Sequence, residues 1–393
     1  MLTSLALIFL VGMLLGSLFQ KLKLPTLLGM LITGIILGPY VLNLLDDSII
    51  YISADLRQLA LIIILTRAGL SLDINDLKRV GRPAVLMCFV PACFEIIGMI
   101  VIAPKLLGIS ILEAAIMGAV VGAVSPAVIV PKMLHLMETG YGTNKSIPQL
   151  IMAGASVDDV FVIVIFTSFT GLAQGQNISP FSFVKIPTSI VLGICVGALV
   201  GTLLGIFFKK VHLRDSIKVI IVLSISFLLV ALENVLKGTI SISGLLAVMS
   251  MGAALQKNQQ NLAKRLANKF SKLWVAAEIV LFVLVGATVD INYAVSAGLN
   301  VILVILGVLL FRMMGVFICL LKTKLSRKER IFCMIAYMPK ATVQAAIGSI
   351  PLTMGLPCGQ IVLTAAVVSI MITAPLGATL IDRTYKKLLI KEQ

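Results

Sequence analysis

Five ionisable residues, Glu95, Asp158, Asp159, Arg312 and Lys340, sit inside stretches that are otherwise apolar. Each lies about eight or more residues from the end of its stretch, near the centre of a helix long enough to cross a bilayer. A charge at that depth costs several kcal/mol and marks a functional site by default. Asp158 and Asp159 are adjacent, so on a helix their side chains point about 100° apart. One can face a water-filled cavity while the other faces a partner in the bundle. Neighbouring carboxylates at low dielectric cannot easily both ionise, so the pair can hold either a proton or a small cation. That competition is the simplest chemistry for exchanging a cation against protons. Hard cations such as Na⁺ and Li⁺ take oxygen ligands. The two Asp side chains, Ser125, Ser156 and any carbonyls freed at helix breaks could supply them.

The bases have separate tasks in this scheme. Lys340 can offset the negative ends of half-helices or pair with Asp158. A desolvated lysine can lose its proton, whereas an arginine effectively cannot. Arg312 is therefore read as structural, with Glu95 as its partner. That pair either fixes helix register alone or also touches the ion. With all five groups ionised the cluster sums to −1, which one monovalent cation would neutralise.

These residues need helices to place them, and the composition supplies helices. Of 393 residues, 59% are hydrophobic and 12% charged. A soluble domain carries about 25% charged residues. This balance excludes a soluble enzyme, a secreted protein and a receptor with a large extramembrane head. Thirteen apolar runs follow one another, and at bilayer depth they must be helices. The first run, with no basic leader and no cleavage site, is read as a retained span. The runs that matter most are 84–103, 111–134, 147–173, 298–321, 331–352 and 358–381. The six cysteines lie mostly inside such runs with no CxxC pair and are read as packing residues. No cofactor is implied.

Two runs are interrupted at the depth of the charges. One reads GAVVGAVSPAVIVP around Ser125 and Pro126, the other YMPKATVQAAIG around Pro339 and Lys340. Proline removes a backbone donor and clashes with the preceding turn. The features recur at an offset of seven runs: Glu95 answers Arg312, and the Ser125-Pro126 break answers the Pro339-Lys340 break. Units offset by an odd number of spans have opposite orientation, the signature of an inverted-repeat transporter with its site where two broken helices meet. The expected fold is an all-α polytopic membrane protein of about 13 helices in inverted six-helix repeats. Glu113 falls in the first turn of the first broken run, where the helix dipole favours an acid.

The net charge of +15 follows from topology. Of 32 basic residues, 25 fall on one side of the alternating spans and four on the other. By the positive-inside bias this puts the N-terminus outside and the C-terminus in the cytoplasm of a cell membrane, with no nucleic-acid partner.

Around these residues the chain resembles the cation/proton antiporter superfamily, and within it the NHA-type sodium/hydrogen antiporters. The likeness covers nearly the whole chain. It rests on GRPAVLMCFVPACFE around Glu95, GAVVGAVSPAVIVPKML around Ser125 and Pro126, GASVDDVFVIVIF around the aspartates, and MPKATVQAAIG around Lys340. The resemblance implies an NhaA-like fold, a homodimer in membrane lipid, and elevator-type alternating access. It implies dimer-domain helices in 1–83 and 213–295, a linker helix in 176–212, and core helices in 84–175 and 296–393. By motif match Asp159 is the main carrier of ion and proton and Asp158 the assisting acid, binding Na⁺ or Li⁺. The paired aspartate belongs to the electrogenic branch. Bacterial relatives of the NhaA type carry lysine where Arg312 stands, so a lysine-based coupling scheme does not transfer. The alternatives are a sodium-coupled symporter of a small organic anion and a potassium/proton antiporter. A channel lacks a filter-like repeat here, and an intramembrane aspartyl protease would need its aspartates on separate helices.

Overall fold

The computed structural model describes residues 1–72, 81–174, 180–236 and 242–392, and every regular element among them is a helix. In chain order these are α1 (Leu2–Lys21), α2 (Thr26–Leu37), α3 (Asp47–Tyr51), α4 (Ser53–Ser71), α5 (Arg82–Met87), α6 (Val90–Leu107), α7 (Ile111–Val121), α8 (Pro126–Thr139), α9 (Ile147–Ala173), α10 (Pro180–Lys210), α11 (Asp215–Leu236), α12 (Gly244–Asn258), α13 (Gln260–Ala287), α14 (Ile291–Cys319), α15 (Arg327–Ala336), α16 (Thr342–Ile347), α17 (Ile350–Thr353) and α18 (Gly359–Leu388). Nine stretches of the described residues are long and apolar enough to cross a membrane. The other four expected runs are helical too. Of these, α2 and α12 are short, α4 carries Asp55, Arg57 and Arg67, and the 331–352 run is divided among α15, α16 and α17. Lys78, Arg79, Lys237 and the start of the expected linker helix lie outside the described residues, as do the side chains of Ser156 and Lys185. Large apolar side chains face outward along several helices; Leu10 is 70% exposed and Ile220 64%, while the charged cluster is buried. That inversion suits a chain solvated by lipid.

The chain forms two compact units. One consists of Leu56–Asp76 and Gly175–Glu278. Within it Gly193, Gly197, Gly201 and Gly205 recur every four residues on α10, and a side chain at Gly197 or Gly201 would collide with the carbonyls of Ala247 or Met251 on α12. Small residues at this spacing let two membrane helices approach to backbone contact. Thr66 and Ser226 hydroxyls meet at 3.2 Å in the same unit.

The other unit, Met1–Asp55, Leu77–Gln174 and Ile279–Gln393, contains both broken helices. Each opens with the same device. Ser110 caps α7 through the Glu113 N–H while Glu113 bonds back to the Ser110 N–H, and Ser326 and Glu329 do the same for α15. The S-x-x-E spacing satisfies two orphan donors at once and fixes where each helix starts. The first helix stops at Val121 and restarts as α8, with extended Ser125 as its cap and Pro126 at the first helical position. Proline is favoured there because its missing N–H would have had no partner. The second stops at Ala336 and restarts at Thr342, leaving Pro339 and Lys340 in the gap.

Two further contacts hold this unit. The seam between α6 and α14 is close: an added carbon at Gly315 would lie 2.8 Å from Pro91 Cα, and one at Gly98 2.7 Å from the Phe311 ring. At one end, the connector after α8 pairs with the chain after α18. Gly142 N donates to Ile390 O (2.9 Å) and Glu392 N to Gly140 O (2.7 Å). The Tyr141 and Tyr385 rings pack edge to face there at 4.9 Å.

Gly315→Val should overpack the α6–α14 seam, at a cost of about 1–3 kcal/mol, and lower the thermal midpoint of the purified protein. Gly298→Val on the same helix, where an added carbon meets nothing within 4 Å, should leave it unchanged. Equal midpoints for both variants would contradict the close seam.

Candidate functional site

The five charged residues near the centres of their apolar runs come together in the unit with the broken helices. Glu95 comes from α6, Asp158 and Asp159 from α9, Arg312 from α14 and Lys340 from the second break. Glu95, Asp158 and Lys340 are fully buried, Arg312 is 1% exposed and Asp159 8%.

Arg312 bridges the two repeats. Its Nε donates to Tyr337 O at 2.8 Å in the second break. Nη1 donates to Glu95 Oε2 at 2.9 Å and also to Gly122 O in the first break. Nη2 donates to Asp158 Oδ2 at 2.7 Å. The planar fork of a guanidinium suits such a task, since its donors leave in fixed and different directions.

Lys340 takes a place only partly anticipated. Its Nζ donates to Glu95 Oε2 at 2.8 Å and to Val121 O at 2.7 Å. Of the two expected tasks, it caps the carbonyl end of a half-helix, α7, where a cation is favoured. The pairing with Asp158 is corrected: Arg312 makes it, because the extended second break sets Lys340 beside Glu95 and the end of α7. Thr373 Oγ1 receives the Lys340 N–H at 3.0 Å and steadies that break.

Gln344 was missed in the sequence. It is fully buried on α16, and its Nε2 donates to Val121 O (3.1 Å) and Ala123 O (2.9 Å). A lone amide in the apolar half-helix just after a break was the available signal. With Gln344, Lys340 and Arg312 in place, the carbonyls of Val121, Gly122 and Ala123 all receive hydrogen bonds from the opposite repeat. The carbonyls freed at this break, expected as ion ligands, thus already receive protein donors. The breaks also bind each other, with Ser125 N donating to Pro339 O at 2.8 Å.

The two aspartates differ. Asp158 Oδ2 accepts from Val124 N at 2.9 Å as well as from Arg312. Among the described residues its Oδ1 and the Oδ1 of Asp159 are buried without a hydrogen-bond partner, as is Ser125 Oγ. A buried polar atom left unpaired costs about 1–3 kcal/mol. These are oxygens, so a proton, a water or a cation would satisfy them. Ser156 lies on α9 two residues before Asp158 and three before Asp159.

Residues 5–387 match the family described as sodium/hydrogen exchanger, transmembrane. Sodium/hydrogen exchanger 9B2 of Mus musculus is 33% identical over 400 residues, covering 96% of this chain and 72% of the mouse protein. Sodium/hydrogen exchanger 9B1 of Homo sapiens is 30% identical, covering 94% and 73%. The solved structure of the sodium proton antiporter MjNhaP1 from Methanocaldococcus jannaschii at pH 8 has the same fold, with a TM-score of 0.88 at 22% identity over 98% of both chains.

Arg312→Met should leave Glu95 and Asp158 buried with Lys340 as their remaining base, a loss of about 3–5 kcal/mol. It should show as a large fall in the thermal midpoint in detergent. Arg312→Lys keeps the charge without the fork and should fall between. A midpoint unchanged in Arg312→Met would remove Arg312 from the role of bridge.

Proposed function

The chain belongs to the sodium/hydrogen exchanger family, and we propose that it is a secondary antiporter exchanging Na⁺ for H⁺ at Asp158 and Asp159. The observation that carries this reading is the difference between the two acids. Asp158 is tied by Arg312 and the Val124 N–H, whereas Asp159 keeps a buried oxygen with no donor among the described residues. A carboxylate held beside another carboxylate and supplied with no donor binds either a proton or a cation, one excluding the other. Asp159 is the carrier in this scheme. Asp158, through its unpaired Oδ1, is the assisting acid.

Ser125 and Ser156 add neutral oxygens, Pro126 holds the break that presents Ser125, and Lys340 with the Glu95–Arg312 pair frames the site. Arginine keeps its proton, so Arg312 carries none; in this scheme protons travel on the aspartates, with Lys340 the one base of the site able to release one. Electrogenic exchange needs a second proton beyond the one on Asp159, and Asp158 is the group to take it. Li⁺, a smaller hard cation, would use the same oxygens. The exchange would run by elevator-type movement of the core helices in 84–175 and 296–393 against dimer-domain helices in 1–83 and 213–295. The protein would be a homodimer in a cell membrane, N-terminus outside and C-terminus cytoplasmic. The anion-symport alternative is disfavoured because the two bases of the site, Arg312 and Lys340, already donate to protein carboxylates and carbonyls.

In proteoliposomes with an imposed proton gradient, added Na⁺ should collapse the gradient, with Li⁺ and K⁺ compared in parallel. Asp159→Asn should reduce the response to that of empty vesicles; full activity would remove Asp159 from the carrier role. Asp158→Asn should retain exchange that no longer responds to an imposed membrane potential. Unchanged voltage sensitivity would contradict its part in the second proton.

A further inference from the structure

We infer that Gln344 is a positioning residue for cation uptake, acting on Asp158 through the peptide that joins Ala123 to Val124. The inference rests on the antiport reading given above. Gln344 does not contact Asp158 in the hydrogen-bond network; one peptide unit stands between them.

The geometry is a relay. Gln344 Nε2 donates to Ala123 O at 2.9 Å. Val124 N donates to Asp158 Oδ2 at 2.9 Å. The Ala123 carbonyl and the Val124 N–H are the two ends of one trans peptide, so they point in opposite directions from one conjugated plane. A donor at the carbonyl draws density from the amide nitrogen and makes its N–H a better donor. Bonds linked this way strengthen one another by roughly 10–30% each. A carboxylate that accepts a stronger N–H bond is held more firmly in position. Gln344 thus holds the Asp158 carboxylate in position from the opposite repeat without adding charge.

The orientation of the amide follows from its neighbours. Exchanging Nε2 and Oε1 would set an oxygen against two carbonyl oxygens, those of Val121 and Ala123. Oε1 therefore points away from both and has no hydrogen-bond partner among the described residues. The amide clamp also fixes the spacing of the two carbonyls on either side of Gly122, whose own carbonyl is held by Arg312. The charged members of the site, Arg312 and Lys340, cannot be removed without leaving an acid uncompensated. Gln344 can be removed with the charge balance intact, so its effect on ion uptake can be isolated.

The test compares wild type with Gln344→Met, which has similar length and no donor. At one fixed pH, proteoliposome flux should give an apparent KM for Na⁺ about two- to fourfold higher, the effect of weakening one hydrogen bond to a carboxylate by roughly 10–30%, with Vmax kept. An unchanged KM, or a fall in Vmax with KM kept, would overturn the proposal. Gln344→Asn, which keeps an amide on a shorter stem, serves where the Met variant does not fold. It should raise KM as well, and failure of both variants to fold would assign Gln344 to the fold and also overturn the proposal. Na⁺ titration of the thermal midpoint of the purified proteins reads binding without transport and should need about two- to fourfold more Na⁺ in Gln344→Met. If wild-type vesicles show no Na⁺-dependent proton movement, the antiport reading fails, and this titration decides the role of Gln344 in Na⁺ binding by itself.

Discussion

Arg312 carries a permanent charge where 1% of its side chain meets solvent, and an uncompensated charge in such a place costs several kcal/mol. Its donors reach two acids, Glu95 and Asp158, and a carbonyl in each break, Gly122 and Tyr337. Those carbonyls exist as free acceptors only because two helices are interrupted. The interruptions in turn are tolerable in a bilayer only because donors arrive from outside the helix. Charge and break therefore require each other. Removing either half of the arrangement leaves the other unsatisfied, and this ties the first repeat to the second at their shared centre.

The remaining contacts fill out the same constraint. Lys340 completes Glu95 and caps α7, and Gln344 takes the carbonyls on either side of Gly122. Buried ion pairs of this kind are weak evidence of stability in themselves; here they fix positions. Two bases oppose three acids, so one negative charge stays unmatched. By elimination it falls to Asp159, whose Oδ1 receives no hydrogen bond. The proposed carrier is thus the residue that the structural pairing does not use up. Its neighbour Asp158 is held on one oxygen and free on the other, suited to assist.

Much of this was legible in the residues. Apolar length gave the helices, Ser125-Pro126 and Pro339-Lys340 marked the breaks, and Glu113 in a first turn anticipated its part in the capping box. Spatial partners were harder. Whether Lys340 or Arg312 meets Asp158 depends on how far each helix is rotated and on where the extended break carries its backbone. Spacing along the chain records neither. Gln344 escaped notice because an amide carries no charge to stand out against an apolar run, and its importance arises only from two carbonyls on another helix. The glycine ladder on α10 was equally silent, since small residues reveal an interface only once a partner backbone lies against them.

The central claim is that a cation and a proton occupy the same carboxylate in turn. Calorimetric titration of the purified protein with Na⁺, in two buffers of different ionisation enthalpy, counts the protons released as the cation binds. The account predicts release of at least one proton per Na⁺ bound in the wild type and none in Asp159→Asn. Na⁺ binding without proton release in the wild type would contradict it.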